Sequence, residues 1–263
     1  MKLLSAALYP VKSMRAVKVS ALTLDEKGVV GDRRWMVVDA ENRFVTQRSA
    51  PGMARFQPEL LEGGLRIDDG AARLDVELPR LEGPRRTVTL WRDTFATLDA
   101  GDEAAAWLGA RLGFACRLVA FASDVRREVD VTWAKDAQTT FTDAYPLLIV
   151  NEASLDTLNA KLPAALPMDR FRPNLVVRAS APWVEDGWTR VEVDGLPLDA
   201  VKPCARCVTI TTDQFTGEKP QGSLPLTVLT GLNSLPGMGA LFGMNLVHRA
   251  HGTLRVGAQV AVN

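Results

Sequence analysis

The sequence predicts a mainly β chain with inserted helices, an α+β class. Three observations point there. Short runs of β-branched and apolar residues recur with near-even alternation. Pro and Gly punctuate the gaps between them, at Pro51-Gly52, Gly63-Gly64 and Gly83-Pro84. Helical periodicity is confined to about three short stretches, which favours a barrel or sandwich over a doubly wound sheet.

Taken in order, Val17, Val19, Leu22 and Leu24 alternate as strand, and Glu26-Lys27-Gly28 turns the chain. Trp35–Asp39 reads as a buried strand with charges at its mouth. Ala40-Glu41-Asn42 reads as a hairpin turn, with Arg43–Arg48 returning. Leu65–Ile67 and Leu74–Leu78 flank the turn Asp68-Asp69-Gly70, and Thr87–Trp91 adds a strand. A helix opens near Gly101, with Asp102 as cap, Ala104, Trp107, Leu108 and Leu112 as its apolar face, and Gly113 as stop. Cys116 falls in the next strand as a small buried residue.

Residues 121–140 are polar and serve as a junction or a loop over a site. They divide the chain into residues 1–122 and 123–263. Beyond them, Asn151 is placed to cap a helix over Glu152–Lys161. A strand with two arginines before it covers Asp169–Val177, with Pro173 at its start or edge. Trp188–Val193 and Leu196–Val201 turn around Asp194-Gly195. Asn245–His248 and Thr253–Gly257 read as a closing hairpin. No repeat of 20–50 residues appears.

The bulk numbers exclude several functions. The 263 residues suit one large domain or two small ones. Thirty-one Lys and Arg balance thirty-one Asp and Glu, so nothing suggests nucleic acid or an anionic membrane as partner. Three cysteines make no disulfide framework and fit a reducing, cytoplasmic setting. Two histidines rule out a His-rich metal cage. The first ten residues are briefly apolar, but Lys12 and Arg15 follow without a cleavage pattern, so no signal peptide is expected. No run reaches the ~18 apolar residues that span a bilayer.

The most informative stretch is Lys202-Pro203-Cys204-Ala205-Arg206-Cys207, followed by Val208-Thr209-Ile210-Thr211, which alternates as a strand would. A thiol beside a fixed cation favours the thiolate, the form that binds metals and attacks electrophiles. Four readings stay open. A redox dithiol normally opens a helix, which a Val/Thr/Ile run does not suggest. A Cys₂His₂ zinc site has the right count with His248 and His251, but on one strand those two would face opposite ways. Two buried structural cysteines are the plain reading. The fourth takes one thiolate as ligand to a metal carried by an anionic organic cofactor. That needs cations from elsewhere, and Lys12-Ser13, Arg33-Arg34, Arg48, and Arg170 and Arg172 with Asn174 each lie at the mouth of an expected strand.

With these residues in place, the chain resembles the MOSC-domain proteins that carry an N-terminal MOSC-type β-barrel, the group of the mitochondrial amidoxime-reducing component and its bacterial relatives. The resemblance covers nearly the whole chain. It rests on Tyr9-Pro10-Val11-Lys12-Ser13, Gly31-Asp32-Arg33-Arg34-Trp35, Thr46-Gln47-Arg48, Asn151–Leu155 and Arg170-Phe171-Arg172-Pro173-Asn174. It extends to Pro203–Cys207 with Thr211-Thr212-Asp213 and Gly217. It implies an N-terminal MOSC-type β-barrel over 1–122 and a MOSC β-barrel domain over 123–263. It also implies molybdenum cofactor, a pyranopterin with a dithiolene and a phosphate, its metal held by Cys207 with Cys204 as neighbour. Lys12, Ser13, Arg33 and Arg172 match cofactor-contacting positions, Asn174 and Arg206 are reasonable additions, and Arg48 and Thr46 are further candidates.

The implied activity is reduction of small N-hydroxylated compounds, with Asp213 as a proton relay near the metal. The rival reading is a non-catalytic carrier of cofactor or sulfur using the two cysteines. No cysteine follows Cys207, so electrons are expected from a separate reductase, ferredoxin or flavoprotein. No membrane anchor is expected, which fits a soluble bacterial protein.

Overall fold

The computed structural model describes all 263 residues. Four sheets and three α-helices make up the chain, in keeping with the mainly β class. The largest sheet has nine strands. Its centre is Gly239–His248, which pairs antiparallel with Leu196–Ala205 on one side and Leu147–Asn151 on the other. Leu175–Val177 then runs parallel to Leu147–Asn151, and Leu3–Leu8 pairs antiparallel with Leu175–Val177. A four-stranded sheet joins Trp35–Asp39, Cys116–Ala120, Asp93–Asp99 and Arg85–Leu90. Gln57–Leu61, Gly64–Asp68 and Arg73–Glu77 form a meander.

Local chemistry explains the clearest elements. Arg73–Glu77 alternates exposed and buried, which puts Leu74 and Val76 inward with Leu65 and Ile67. Its turn is tied by Asp68, which accepts from Gly70 N at 2.6 Å, and by Asp69, which accepts from Ala71 N and Ala72 N. Helix α1 (Asp102–Leu112) stops at Gly113, whose φ of 81° is the left-handed cap expected of glycine. Its N-cap is Gly101, not Asp102; the Asp102 carboxylate takes Arg117 at 2.8 Å instead. Helix α2 (Glu152–Asn159) starts at Asn151, whose side chain accepts from Ala153 N at 3.0 Å.

Two cores of equal size lie side by side. One holds Leu65, Ile67, Val37, Leu108 and Leu118. The other holds Ile149, Leu175, Val191, Leu198 and Leu246, and also takes in Leu3, Leu8, Leu22 and Leu24 from the start of the chain. The chain therefore crosses between the cores over Tyr9–Met14, since Val11 and Met14 already belong to the first. Hydrogen bonds pin this crossing: Arg33 N to Tyr9 O at 2.7 Å, Lys12 N to Trp35 O at 2.8 Å and Trp35 N to Pro10 O at 3.1 Å.

Four strand assignments from the sequence are corrected. Asp169–Val177 is strand only over Leu175–Val177, because Met168–Phe171 closes a 3₁₀ turn before it. Arg43–Arg48 does not return as a strand; it makes isolated bridges alone, Phe44 to Val38 and Arg43 to Thr89, and Trp35–Asp39 takes Cys116–Ala120 as its strand partner. Asn245–His248 and Gly252–Arg255 form no hairpin, because the second pairs with Ala21–Asp25 in another sheet. Val208–Thr211 is a 3₁₀ turn. There the strand Leu196–Ala205 ends, Thr211 Oγ1 bonds back to Val208 O at 2.7 Å, and tertiary contacts override β-propensity. Helix α3 (Leu224–Leu232), with Pro225 in its first turn, completes the fold.

Gly243 shapes the strand beside the cysteines. Its φ is +80°, and an added Cβ would sit 2.5 Å from Ile149 O and 2.7 Å from Val150 Cγ1. Opposite it the register shifts between Pro203 and Ala205. Gly243→Ala is expected to lower stability by roughly 2–4 kcal/mol, the sum of left-handed strain and overpacking. A denaturant midpoint unchanged from wild type would show that the strand absorbs the methyl group.

Candidate functional site

The crossing segment, the ends of the large-sheet strands and the stretch around Cys207 surround one open cleft of about 270 Å³. Its lining includes Lys12, Ser13, Arg33, Thr46, Arg48, Arg172, Asn174, Cys204, Arg206 and Cys207. Residues scattered over nearly two hundred positions thus converge. Seven cationic side chains line the cleft: Lys12, Arg33, Arg48, Arg170, Arg172, Lys202 and Arg206. One carboxylate does, Asp143.

The backbone is strained where it presents these groups. Ser13, Arg33 and Arg172 have φ of 68°, 45° and 54°, in the left-handed region that L-residues seldom adopt. Each costs on the order of 1–3 kcal/mol and persists only where the surroundings impose it, as at binding sites. The Tyr9 ring organises two of them. The Arg33 and Arg172 guanidiniums lie 4.2 and 4.3 Å from its centroid. Arg33 also donates to Asp32 Oδ2 at 2.5 Å and to Arg172 O at 3.1 Å, while Arg172 donates to Met14 O at 2.7 Å. Burial, with Arg33 close by, pushes the Arg172 guanidinium down to about 10. An anion placed between them would restore it.

Lys12 is buried and donates to Phe141 O at 2.9 Å and to Asp143. Burial lowers the Lys12 ammonium, and the Asp143 charge and hydrogen bond oppose the fall. Asp143 opens into the cleft, its side chain 72% exposed, with protein on its other sides. Desolvation would raise its carboxyl, but Lys12 outweighs it and holds the group well below the usual carboxylate range. Trp91 Nε1 donates to the same Oδ1 at 3.3 Å, and the Arg48 guanidinium rests 4.5 Å from the Trp91 centroid.

The two cysteines differ. Cys207 is exposed, its Sγ 3.2 Å from Thr209 Oγ1. Cys204 is half-buried against the apolar cluster of Phe171 and Phe242. Burial pushes its thiol up, against the pull of Arg206. A buried thiol of that kind is a poor ligand and nucleophile. Arg206 is fully engaged with carbonyls, donating to Phe242 O from Nε at 2.9 Å and Nη2 at 2.6 Å, and to Phe171 O from Nη1 at 2.9 Å. It locks the turn into Cys207.

Two site expectations change. Asp213 does not line the cleft. Its Oδ2 takes Arg170, which does line the cleft, at 2.8 Å, and its Oδ1 takes the amides of Phe215 and Thr216 at 2.9 and 3.0 Å, so it braces a turn one side chain behind the lining. Asn174 lines the cleft but is 1% exposed, and its amide is occupied. Oδ1 accepts from Leu148 N at 3.1 Å and Arg33 Nη1 at 3.4 Å, while Nδ2 donates to Ala7 O at 3.2 Å. It positions Arg33 and clamps the strands. Neither histidine lines the cleft, and His248 Nε2 lies 2.6 Å from Asp25 O.

The matches to known proteins agree with this geometry. The family description "MOSC N-terminal beta barrel domain" matches residues 1–115 and "MOSC domain" matches residues 136–261. Mitochondrial amidoxime-reducing component 1 of Mus musculus is 30% identical over 274 residues, covering 96% of this chain and 79% of that protein. This chain belongs to the MOSC family. Molybdenum cofactor sulfurase of Oryza sativa subsp. japonica is 28% identical over 263 residues, 92% of this MOSC chain but 32% of the sulfurase. The crystal structure of the YUAD protein from Bacillus subtilis aligns over 98% of this chain and 93% of that one. At 11% identity and a TM-score of 0.42 it is too distant to bear on the site.

The MOSC cleft draws on both matched regions. Lys12, Ser13, Arg33, Thr46 and Arg48 come from the first, and residues 142–245 of the lining from the second. Sequence reasoning missed Asp143, Tyr9, Trp91 and Lys202. Asp143 carried a signal: a lone carboxylate between Phe141 and the apolar strand Leu147–Asn151. Tyr9 and Lys202 stood in the quoted motifs without a role, and Trp91 carried no signal, because a ring under a guanidinium leaves no periodic trace.

Proposed function

We propose that this chain binds molybdenum cofactor with Cys207 as the metal ligand and reduces small N-hydroxylated compounds. The observation that carries the reading is the exposed Cys207 thiol at the edge of a cleft where seven cations face one carboxylate. Its relatives include proteins named amidoxime-reducing components. A soft thiolate beside an anion-seeking lining is the donor set expected for a sulfur-rich metal group with an anionic tail. Donors from within 1–122 and from within 123–263 meet in the one cleft.

When bound, the cofactor would supply a two-electron metal centre able to take oxygen from an N–O bond. The chain does the rest. Lys12, Arg33 and Arg172, with the Ser13 hydroxyl, bind the anionic group. Arg206 and Asn174 position the Cys207 turn and Arg33. Arg48 and Thr46 shape the far wall. Asp143 replaces Asp213 as the carboxylate in reach of a substrate. Held ionised by Lys12, it accepts hydrogen bonds from substrate N–H groups at neutral pH rather than donating a proton. Electrons come from a separate reductase, ferredoxin or flavoprotein in the cytoplasm. No helix is long and apolar enough to cross a membrane.

A second reading, a carrier of cofactor or sulfur, is favoured by the similarity to a cofactor sulfurase. Turnover separates the two. Reduced viologen is expected to be consumed by the cofactor-loaded protein in the presence of an N-hydroxylated base. Loaded protein that leaves the viologen unoxidised would support the carrier.

A further inference from the structure

One face beside the cleft mouth is cationic and aromatic at once. Phe215 is the most exposed large apolar side chain of the protein, at 63%. The Arg15 guanidinium lies 4.0 Å from its ring centroid. Arg15 N donates to Phe56 O at 3.1 Å, which sets Arg15 beside Arg55. Arg55 ends the 3₁₀ turn Pro51–Arg55, and the loop that carries Phe215 packs on that turn. An added Cβ at Gly217 would sit 2.8 Å from Pro51 O. Arg48 joins the same neighbourhood through the residue before it. The buried Gln47 and Gln214 amides donate to each other at 2.9 and 3.0 Å, which ties Arg48 to Phe215 through their chain neighbours.

Charge singles this face out. The protein balances 31 cationic against 31 anionic side chains, and ion pairs absorb charge over much of its surface. Arg15, Arg48 and Arg55 meet no carboxylate. Asp213, on the loop of Phe215, is taken by Arg170 and two amides, and Glu218 stands next to Lys219. Arginine and aromatic side chains are the types that carry binding energy at protein interfaces. Unpaired cations steer an oppositely charged partner onto them. Position narrows the partner further. Arg48 belongs both to this face and to the cleft lining, so a protein seated here adjoins the site. The face is small, as in transient redox encounters, which favours a small carrier over a large reductase.

We propose that Arg15, Arg48, Arg55 and Phe215 form the docking face for a small electron carrier with an acidic surface. Reducing one N–O bond consumes two electrons and two protons and releases the oxygen as water. A one-electron carrier is therefore oxidised twice per turnover and must dock, leave and dock again, which suits a weak, salt-sensitive contact. The inference rests on the reductase reading, and a small-molecule reductant that needs no docking face separates the two.

The experiment uses the full-length, cofactor-loaded wild type with Arg15→Glu, Arg55→Glu, Phe215→Ala and Arg80→Glu. Arg80 lies on a separate groove and serves as a control for net charge. Turnover of an N-hydroxylated base is driven either by reduced viologen or by an acidic plant-type [2Fe–2S] ferredoxin kept reduced by its own reductase. The ferredoxin-driven kcat/KM of the wild type is expected to fall as salt rises. Arg15→Glu and Arg55→Glu are each expected to lower it about tenfold at low salt. Phe215→Ala is expected to lower it about fivefold, the worth of a truncated interface aromatic. Arg80→Glu changes nothing. All four variants keep the viologen-driven rate, because viologen is a cation that an added carboxylate does not repel.

Equal losses with both reductants would overturn the docking face and make these residues supports of the cleft. A ferredoxin-driven rate indifferent to salt and to the variants would overturn it too. So would a ferredoxin that supports no turnover where viologen does. Binding of the wild type to phosphatidylserine vesicles, lost in Arg15→Glu, would reassign the face to a membrane surface. Absence of turnover with viologen itself would strike the reductase reading alone. Calorimetry of oxidised ferredoxin then decides the face: weaker binding to Arg15→Glu and Arg55→Glu than to wild type supports it, and equal binding overturns it.

Discussion

Cys207→Ala is expected to abolish both molybdenum retention and N–O reduction, while Cys204→Ala keeps much of each. The two thiols are three residues apart, but their surroundings separate them. Cys207 is exposed at the start of a 3₁₀ turn that Arg206 fixes through two backbone carbonyls. Cys204 packs against apolar side chains, and burial keeps its proton on. A soft metal takes the thiolate it can reach. Truncating Cys204 removes only a small apolar contact, with a modest stability cost. Metal analysis and viologen oxidation on both variants check this. Equal loss in both would show that the cysteines act as a pair.

Asp143→Asn is the second large effect. Asp143 takes both Lys12 and Trp91 Nε1. Without its charge, burial lowers the Lys12 ammonium further, because the main opposing influence is gone. Lys12 must be protonated to hold an anion. The alkaline limb of kcat/KM is therefore expected to move to lower pH in Asp143→Asn. In the wild type the Asp143 carboxyl lies well below the usual carboxylate range, so its protonation does not limit activity near neutrality. Removing one partner of a hydrogen-bonded charge pair costs about 2–5 kcal/mol when buried. Asp143 is open to the cleft, so screening places the effect at the low end, roughly 30-fold in kcat/KM. A pH profile that overlays the wild type would refute the Lys12–Asp143 coupling.

The sequence showed most of the fold where patterning is local. The alternation at Leu65, Ile67, Leu74 and Val76, the Asn151 cap and the Gly113 stop all appear in the structure as read. It failed where tertiary contacts decide. Val208–Thr211 has strand-like residues but follows a strand terminated by Arg206, and Gly252–Arg255 changes sheets after His248. For the site, charged residues beside Pro, Gly and Thr at strand mouths were legible, and the structure gathers Lys12, Arg33, Arg172 and Cys207 around one cleft. Direction was not legible. Asp213 is close in sequence to Cys207 yet turns its carboxylate to Arg170 and its own loop. Asp143, sixty-four positions away, faces the cleft. Asn174 was readable as a polar residue at a strand start, but its bonding to Leu148, Ala7 and Arg33 depends on three elements meeting.

The most direct measurement is the metal and pterin content of the purified protein. The account predicts about one molybdenum and one pterin per chain, held through a soft thiolate. Molybdenum-free protein with stoichiometric zinc at the cysteines would contradict it.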